Sequence, residues 1–120
     1  MSKEEVLARL RSLHERSQRA IDLLRQTKFS IKELAELRQL VPQIKKEIRA
    51  EYKRMSPISF QENMAPQERA FYFPAIQDAW ADTGLRELRS ELKPNLEWYS
   101  TLEAVNAKIG QYLRELEQNT

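Results

Sequence analysis

Apolar residues recur along the chain at helical spacing, in four long stretches separated by short breaks. Positions three and four residues apart share one face of an α-helix, so this spacing predicts helices that each present an apolar face. The face is unbroken over residues 6–24, 34–55 and 98–116, and it is interrupted within residues 66–92. The pattern therefore predicts an all-α protein.

Short polar signals mark where the first two helices begin. Ser2 with Glu5, and Ser30 with Glu33, have the spacing of a capping box, in which each side chain satisfies a free backbone N–H at the start of a helix. Only about four residues separate the two predicted helices, and a link that short makes them antiparallel neighbours. Residues 2–55 are therefore expected to form one long helical hairpin.

Pro42 lies inside the second apolar stretch. A proline within a helix removes one backbone hydrogen bond and clashes with the preceding turn, at a cost of ~3 kcal/mol. The apolar phase nevertheless continues past it, which favours one kinked helix over residues 31–55. The alternative is two helices, with Pro42 as the first residue of the second one.

The third stretch is the least regular. Residues 56–65 mix proline, serine and asparagine with apolar side chains, which predicts a loop that lies against the helices. A helix is expected to begin at Pro66 and to end near Asp82, with an interruption at Pro74. Gly84 is expected in the left-handed position that follows a helix end. A short apolar stripe then leads to Pro94, and it consists of Leu85, Leu88 and Leu92.

The four predicted arms have nearly equal lengths. They cover residues 3–27, 31–55, 66–92 and 94–117, and matched arms are what an up-and-down bundle needs if no apolar end is to stay exposed. We therefore predict one domain over residues 1–120. It is a four-helix up-and-down bundle with a Pro-kinked second helix and a broken third arm, made of the first hairpin, the apolar loop and a second helical pair over 66–120.

Composition excludes several classes of protein. The chain has two glycines among 120 residues, where average usage of ~7% would give about eight. It therefore has little material for hairpin turns or phosphate-binding loops. The absence of cysteine excludes disulfides and thiolate metal sites. No segment approaches the ~18 apolar residues of a membrane helix, and no leader segment is visible, so a cytoplasmic protein without membrane contact is expected.

Catalytic and metal-binding side chains are scarce. His14 is the only histidine, and it lies at the edge of the first apolar face, whereas a zinc site needs three or four ligands. No nucleophile motif or dinucleotide fingerprint occurs. The sequence therefore predicts no enzyme, no catalytic residues, no metal site and no cofactor.

Charge is distributed unevenly. Residues 1–54 carry 14 Lys/Arg and 8 Asp/Glu, a balance of +6, and residues 55–120 carry 6 and 10, a balance of −4. One flank of the second helix is basic, a surface we name the basic strip: Arg38, Lys45, Lys46, Arg49 and Lys53. We favour internal pairing of the basic half with the acidic half along the bundle seams. The alternative is a strip that binds an acidic partner such as nucleic acid.

Phe71, Tyr72 and Phe73 are consecutive, and one narrow helix face cannot take all three rings. Either a wide core buries them, which we favour, or some serve a docking surface or subunit interface. The candidate partner-binding residues are Phe60, Phe71, Tyr72, Phe73, Trp80 and Tyr99. By elimination we expect a protein–protein interaction or assembly module that binds a protein partner or itself, as a homodimer. The alternative is a nucleic-acid-associated protein that uses the basic N-terminal hairpin.

Overall fold

The computed structural model describes residues 1–91 and 93–119, and no strand occurs among them. Helix makes up 77% of it. The elements in chain order are α1 (Lys3–Leu24), α2 (Ile31–Met55), α3 (Ile58–Glu62), a π-helical turn (Glu68–Tyr72), α4 (Phe73–Ala81) and α5 (Leu96–Gln118).

The four longer helices pack in a closed ring. Helix α1 packs against α5 and α2, and α4 packs against α2 and α5, so each helix has two neighbours. The molecule measures 46 × 28 × 20 Å. The predicted all-α bundle is confirmed.

The helix starts follow the predicted polar signals. At α2 both bonds of the capping box form, with 3.0 Å from the Glu33 N–H to the Ser30 hydroxyl and 3.0 Å from the Ser30 N–H to the Glu33 carboxylate. At α1 the Ser2 hydroxyl accepts from the Glu5 N–H at 3.2 Å. The Glu5 carboxylate accepts from the Ser2 hydroxyl at 3.3 Å instead of from the Ser2 backbone N–H. Only the second box is complete.

Pro42 lies within a single helix. Helix α2 continues from Ile31 to Met55, and Val41 and Ile44 on either side of the proline are fully buried. The apolar contacts across Pro42 therefore outweigh the lost backbone bond. The one-helix interpretation is confirmed over the two-helix alternative.

The third arm differs from its prediction. Residues 58–62 form the short α3 inside the expected loop, and a π-helical turn followed by α4 replaces the single helix expected from Pro66. Helix α4 ends at Ala81, which agrees with the helix end predicted near Asp82. Gly84 has φ +84°, the left-handed conformation that the sequence predicts for a helix end. Leu92, the last residue of the predicted stripe, lies outside the described residues.

The segment after Gly84 has two backbone hydrogen bonds of the turn type, from the Glu87 N–H to the Gly84 carbonyl at 3.2 Å and from the Leu88 N–H to the Leu85 carbonyl at 3.1 Å. Leu85 and Leu88 are buried. The Lys45 ammonium donates to the Leu88 carbonyl, and the Trp98 indole N–H donates to the Arg89 carbonyl at 3.3 Å. Side chains of α2 and α5 thus satisfy backbone groups that a helix would have paired internally.

A close approach joins α1 and α5. Gly110 is buried, and a Cβ there would lie 3.1 Å from the His14 ring nitrogen Nε2. Nearby, the Asn106 amide donates to the Ser17 hydroxyl at 3.0 Å and to the His14 carbonyl at 3.1 Å. His14 is half-buried at this seam, in the boundary position expected of it.

Candidate functional site

The aromatic segment lies mostly inside the protein. Tyr72 is 1% exposed and Trp80 is 8% exposed. Phe60, Phe71 and Phe73 are half-buried and pack against the core. Tyr72 and Trp80 are therefore core residues and are corrected out of the candidate partner-binding set. The favoured interpretation, a core wide enough to bury the rings of this segment, agrees with the burial of Tyr72 and Trp80 and with the packing of the three phenylalanines against the core.

Tyr72 is held inward by a carboxylate. Its hydroxyl donates to Glu51 Oε1 at 2.6 Å, and Arg9 and Arg54 contact the same carboxylate at 2.6 and 2.8 Å. Burial, together with the bond to Glu51, raises the pKa of Tyr72 well above its ordinary value. Burial alone would raise the pKa of Glu51, but the hydrogen bonds from Arg54 and Tyr72 and the two arginine charges outweigh it and lower that pKa. The cluster joins three elements and is structural.

Trp80 and Phe60 each have a contact that involves their ring. The Trp80 ring lies 6.3 Å from the Tyr52 ring, centroid to centroid. The Arg54 guanidinium lies 5.1 Å from the centroid of Phe60. Phe71 lines a shallow groove of about 310 Å³ between the π-helical turn and the end of α5.

Apolar side chains are exposed at one end of the bundle, where α1 ends and where α2 and α5 begin. A groove of about 460 Å³ lies there. We name this surface the apolar end, and its residues are Leu24, Phe29, Pro94, Leu96 and Tyr99. Leu96 is 87% exposed and Phe29 is 38% exposed, while Ile31, two residues beyond Phe29, is 92% exposed.

Tyr99 is the one residue of the predicted aromatic set at the apolar end. The Arg25 Nε–H donates to its hydroxyl at 3.1 Å, and the guanidinium lies 5.9 Å from the centroid of its ring. Arg25 also lies 4.0 Å from both Asp22 and Glu103. These contacts fix the Tyr99 ring as one wall of the groove.

The sequence analysis missed Leu96 and Ile31. Each directly follows the N-cap residue of its helix, Asn95 and Ser30 respectively. Ile31 continues the apolar spacing of α2, so periodicity alone assigns it to the core. The available signal is an apolar residue in the first helical position, directly after the N-cap residue.

The basic strip lies along α2, on the flank opposite its glutamates. Those glutamates pair with α1: Glu51 with Arg9 at 2.6 Å, Glu47 with Arg16 at 2.7 Å and Glu36 with Arg19 at 2.8 Å. Four strip residues are exposed, and the described residues give them no ion pair: Arg38, Lys46, Arg49 and Lys53. The favoured expectation of pairing between the basic and acidic halves is wrong for the strip, because its residues form no ion pair among the described residues. The expectation holds elsewhere, since Arg11 lies 3.6 Å from Glu117 and Arg25 lies 4.0 Å from Glu103.

A second groove adjoins the strip. It has a volume of about 280 Å³ and lies between α2 and the segment after Gly84. Its lining consists of Pro42, Lys45, Lys46, Arg49 and Ser90. Three cationic side chains and one hydroxyl thus face one small space, a set of donors with no carboxylate among them.

The fold places the protein in the class of all-helical bundles. Across the described ranges, no three histidine or carboxylate side chains are grouped so that they could hold a metal ion. None of the helices in those ranges combines the length and apolar character needed to cross a bilayer. Comparisons with protein-family models, curated proteins and solved structures find no match to this chain.

Proposed function

We propose that the protein is a non-catalytic protein-binding module whose apolar end holds an acidic, apolar segment of a partner protein. One observation supports the proposal above all: Leu96 is 87% exposed beside a groove of about 460 Å³ whose walls are largely apolar. Burying one leucine contributes about 1.5–3 kcal/mol, which this side chain forgoes in the free protein. A partner that covers it and Phe29 recovers that free energy.

Charge around the apolar end indicates the chemistry of the partner. Residues 25–32 carry three cationic side chains and no acidic one, and residues 93–97 carry Lys93 and Glu97. Lys28 and Lys32 are exposed on either side of Phe29 and Ile31. A segment with carboxylates beside its apolar side chains is complementary to this rim, and complementary charge raises both specificity and the association rate.

A second copy of the chain is a poorer occupant. A two-fold contact places the same patch of both copies face to face. Lys28, Lys32 and Lys93 would then oppose one another, and like charges brought together at an interface oppose association. The homodimer expected from the sequence stays a prediction, and sedimentation velocity tests it.

An anionic apolar dye tests the apolar end directly. Anilinonaphthalene sulfonate combines aromatic rings with one negative charge, which is the chemistry proposed for the partner. We expect the wild-type protein to bind it, and Leu96→Ser to weaken binding at least fivefold. Ile58→Ser is the matched control, because Ile58 is 74% exposed but lies at the start of α3. Equal losses in both variants would contradict the proposal.

Selection from a displayed library of random peptides tests the partner chemistry. We expect enriched peptides that combine leucine or phenylalanine with aspartate or glutamate, and that lose binding to Leu96→Ser and to Lys28→Glu. Enrichment of basic peptides would overturn the proposal. A wild-type dimer that Leu96→Ser converts to a monomer would also overturn it, because the occupant would then be a second copy.

A further inference from the structure

We infer that the basic strip binds the phosphate backbone of a double-stranded nucleic acid, without regard to sequence. This is a second surface, independent of the apolar end, and it depends on the arrangement of cations along α2. From Arg38 to Lys53 the strip spans about 22 Å at 1.5 Å per residue. A duplex carries one phosphate per strand for about every 3.4 Å of its helix axis, so a strip of this length extends beside about six base-pair steps of a duplex that lies parallel to it.

Four of the five cations of the strip are exposed and form no ion pair among the described residues. The acidic flank of α2 is neutralised by Arg9, Arg16 and Arg19 of α1, at distances of 2.6–2.8 Å. In the facing segment, Glu87 lies 3.2 Å from Arg86, and Glu91 lies 3.7 Å from Arg89. The nearby carboxylates therefore have other partners among the described residues, and Lys46 and Arg49 have no acidic partner there.

The groove beside the strip supplies a place for one phosphate. Lys45 is held by the Leu88 carbonyl, so its ammonium is fixed at the groove wall. Lys46, Arg49 and Ser90 line the same space of about 280 Å³. Lysine, arginine and serine are the side chains that proteins most often direct to phosphate oxygens.

The absence of exposed aromatic rings on the strip decides between duplex and single strand. Proteins that bind single strands stack the bases on aromatic side chains. The one aromatic residue of α2 is Tyr52, which is half-buried and packs against Trp80 with 6.3 Å between the ring centroids. The strip therefore offers charge without a stacking surface, which favours a duplex held by its backbone.

Fluorescence anisotropy with a labelled 20-base-pair duplex of mixed sequence tests the inference. If four cations of the strip each neutralise a phosphate, the logarithm of the association constant should fall against that of the salt concentration with a slope of about −3.6. Between 50 and 200 mM salt, affinity should then fall roughly a hundredfold. A second duplex of unrelated sequence should bind within twofold of the first.

Charge reversal locates the site. Lys46→Glu with Arg49→Glu should weaken binding at least tenfold and reduce the slope by about two, since two phosphate contacts are lost. The matched control is Lys108→Glu with Arg114→Glu, which changes the net charge equally on α5 and should leave affinity within twofold. Lys46→Arg with Arg49→Lys keeps the charges and should restore binding. Circular dichroism verifies that each variant is folded.

Several outcomes would overturn the inference. One is an equal loss in the α5 control, which would make net charge the cause. Others are a salt slope near zero, tighter binding to a single strand of equal length, and equally tight binding to polyglutamate, which would make an acidic protein the partner. Leu96→Ser should leave duplex binding unchanged, so failure of the protein-binding proposal and failure of this inference are distinguishable.

Discussion

Single side chains fix how the elements meet. The Glu51 carboxylate accepts from Tyr72 at 2.6 Å and lies 2.6 Å from Arg9 and 2.8 Å from Arg54. It thereby connects α1, α2 and the π-helical turn at one point. Hydrogen bonds that involve a charged group contribute about 1.5–3 kcal/mol each, more than exposed ion pairs do. This is why Tyr72, which looked like a surface candidate from its neighbours, belongs to the interior.

Gly84 offers a test of backbone conformation at the residue scale. Its φ is +84°, and a Cβ there would meet only Thr101 Oγ1 at an ordinary 3.5 Å. Gly84→Ala should therefore lower the free energy of unfolding by about 1–2 kcal/mol, through backbone strain rather than a clash. Urea denaturation measures it. Gly84→Asn is the control, because asparagine tolerates this conformation, and it should cost less than the alanine variant. Equal stability of the alanine variant and wild type would contradict the argument.

Residue-level features were predictable where the cause is local. The Ser30–Glu33 capping box and the left-handed Gly84 each depend on a few adjacent residues, and both are confirmed. The exposure of Leu96 was not predictable, because it depends on which elements pack around the start of α5. The freedom of Arg49 was not predictable either, since it depends on Arg16 pairing with Glu47 across the hairpin.

At the scale of elements, the π-helical turn explains why periodicity failed in the third arm. A π turn contains more residues than an α turn, so it rotates the positions that follow relative to a 3.6-residue repeat. Tyr72 in the turn and Ile76 in α4 are both buried, while Phe71 and Phe73 are half-buried around them. The sequence indicated that three rings competed for one face, but a pattern search that assumes regular helix cannot show how a π turn divides them.

Pro42 provides a prediction about α2 as an element. Proline has no N–H to offer the Arg38 carbonyl one turn earlier, and in a helix interior it costs about 3 kcal/mol relative to alanine. Pro42→Ala should raise the free energy of unfolding by roughly 1–3 kcal/mol. Thermal and urea denaturation measure the change, with Gln43→Ala as the control at the adjacent exposed position. A destabilised Pro42→Ala protein would show instead that the local shape imposed by proline is needed for packing.

Across the whole molecule, the charges are arranged so that one seam is neutral and two surfaces are cationic. The arginines of α1 neutralise the acidic flank of α2. Four cations of the basic strip, and Lys28, Lys32 and Lys93 near the apolar end, form no ion pair among the described residues. The overall charge of +2 conceals this arrangement. The number of charges could be predicted from the sequence, but which of them meet depends on the packing of α1 beside α2.

The neutral seam predicts how stability depends on pH. The bond from the Arg19 guanidinium lowers the pKa of Glu36, and capping-box bonds from Ser30 lower that of Glu33. Arg54 and Tyr72 lower the pKa of Glu51 against the effect of burial. Because these folded-state pKa values are below the unfolded value, the unfolded chain binds more protons as the pH falls through that range. The stabilisation that these three carboxylates contribute should therefore be complete above about pH 5 and should decline toward pH 3.

Urea midpoints at pH 7 and pH 3 measure this decline. Glu36→Gln with Glu51→Gln should be less stable than wild type at pH 7, because the ion pairs of Glu36 with Arg19 and of Glu51 with Arg9 and Arg54 are lost. The difference should narrow toward pH 3 as the wild-type carboxylates take up protons. Glu115→Gln, at an exposed position on α5, is the control and should follow the wild-type curve. If the double variant loses as much stability on acidification as wild type does, the seam between α1 and α2 is not the source of the pH dependence, and carboxylates elsewhere in the bundle must be.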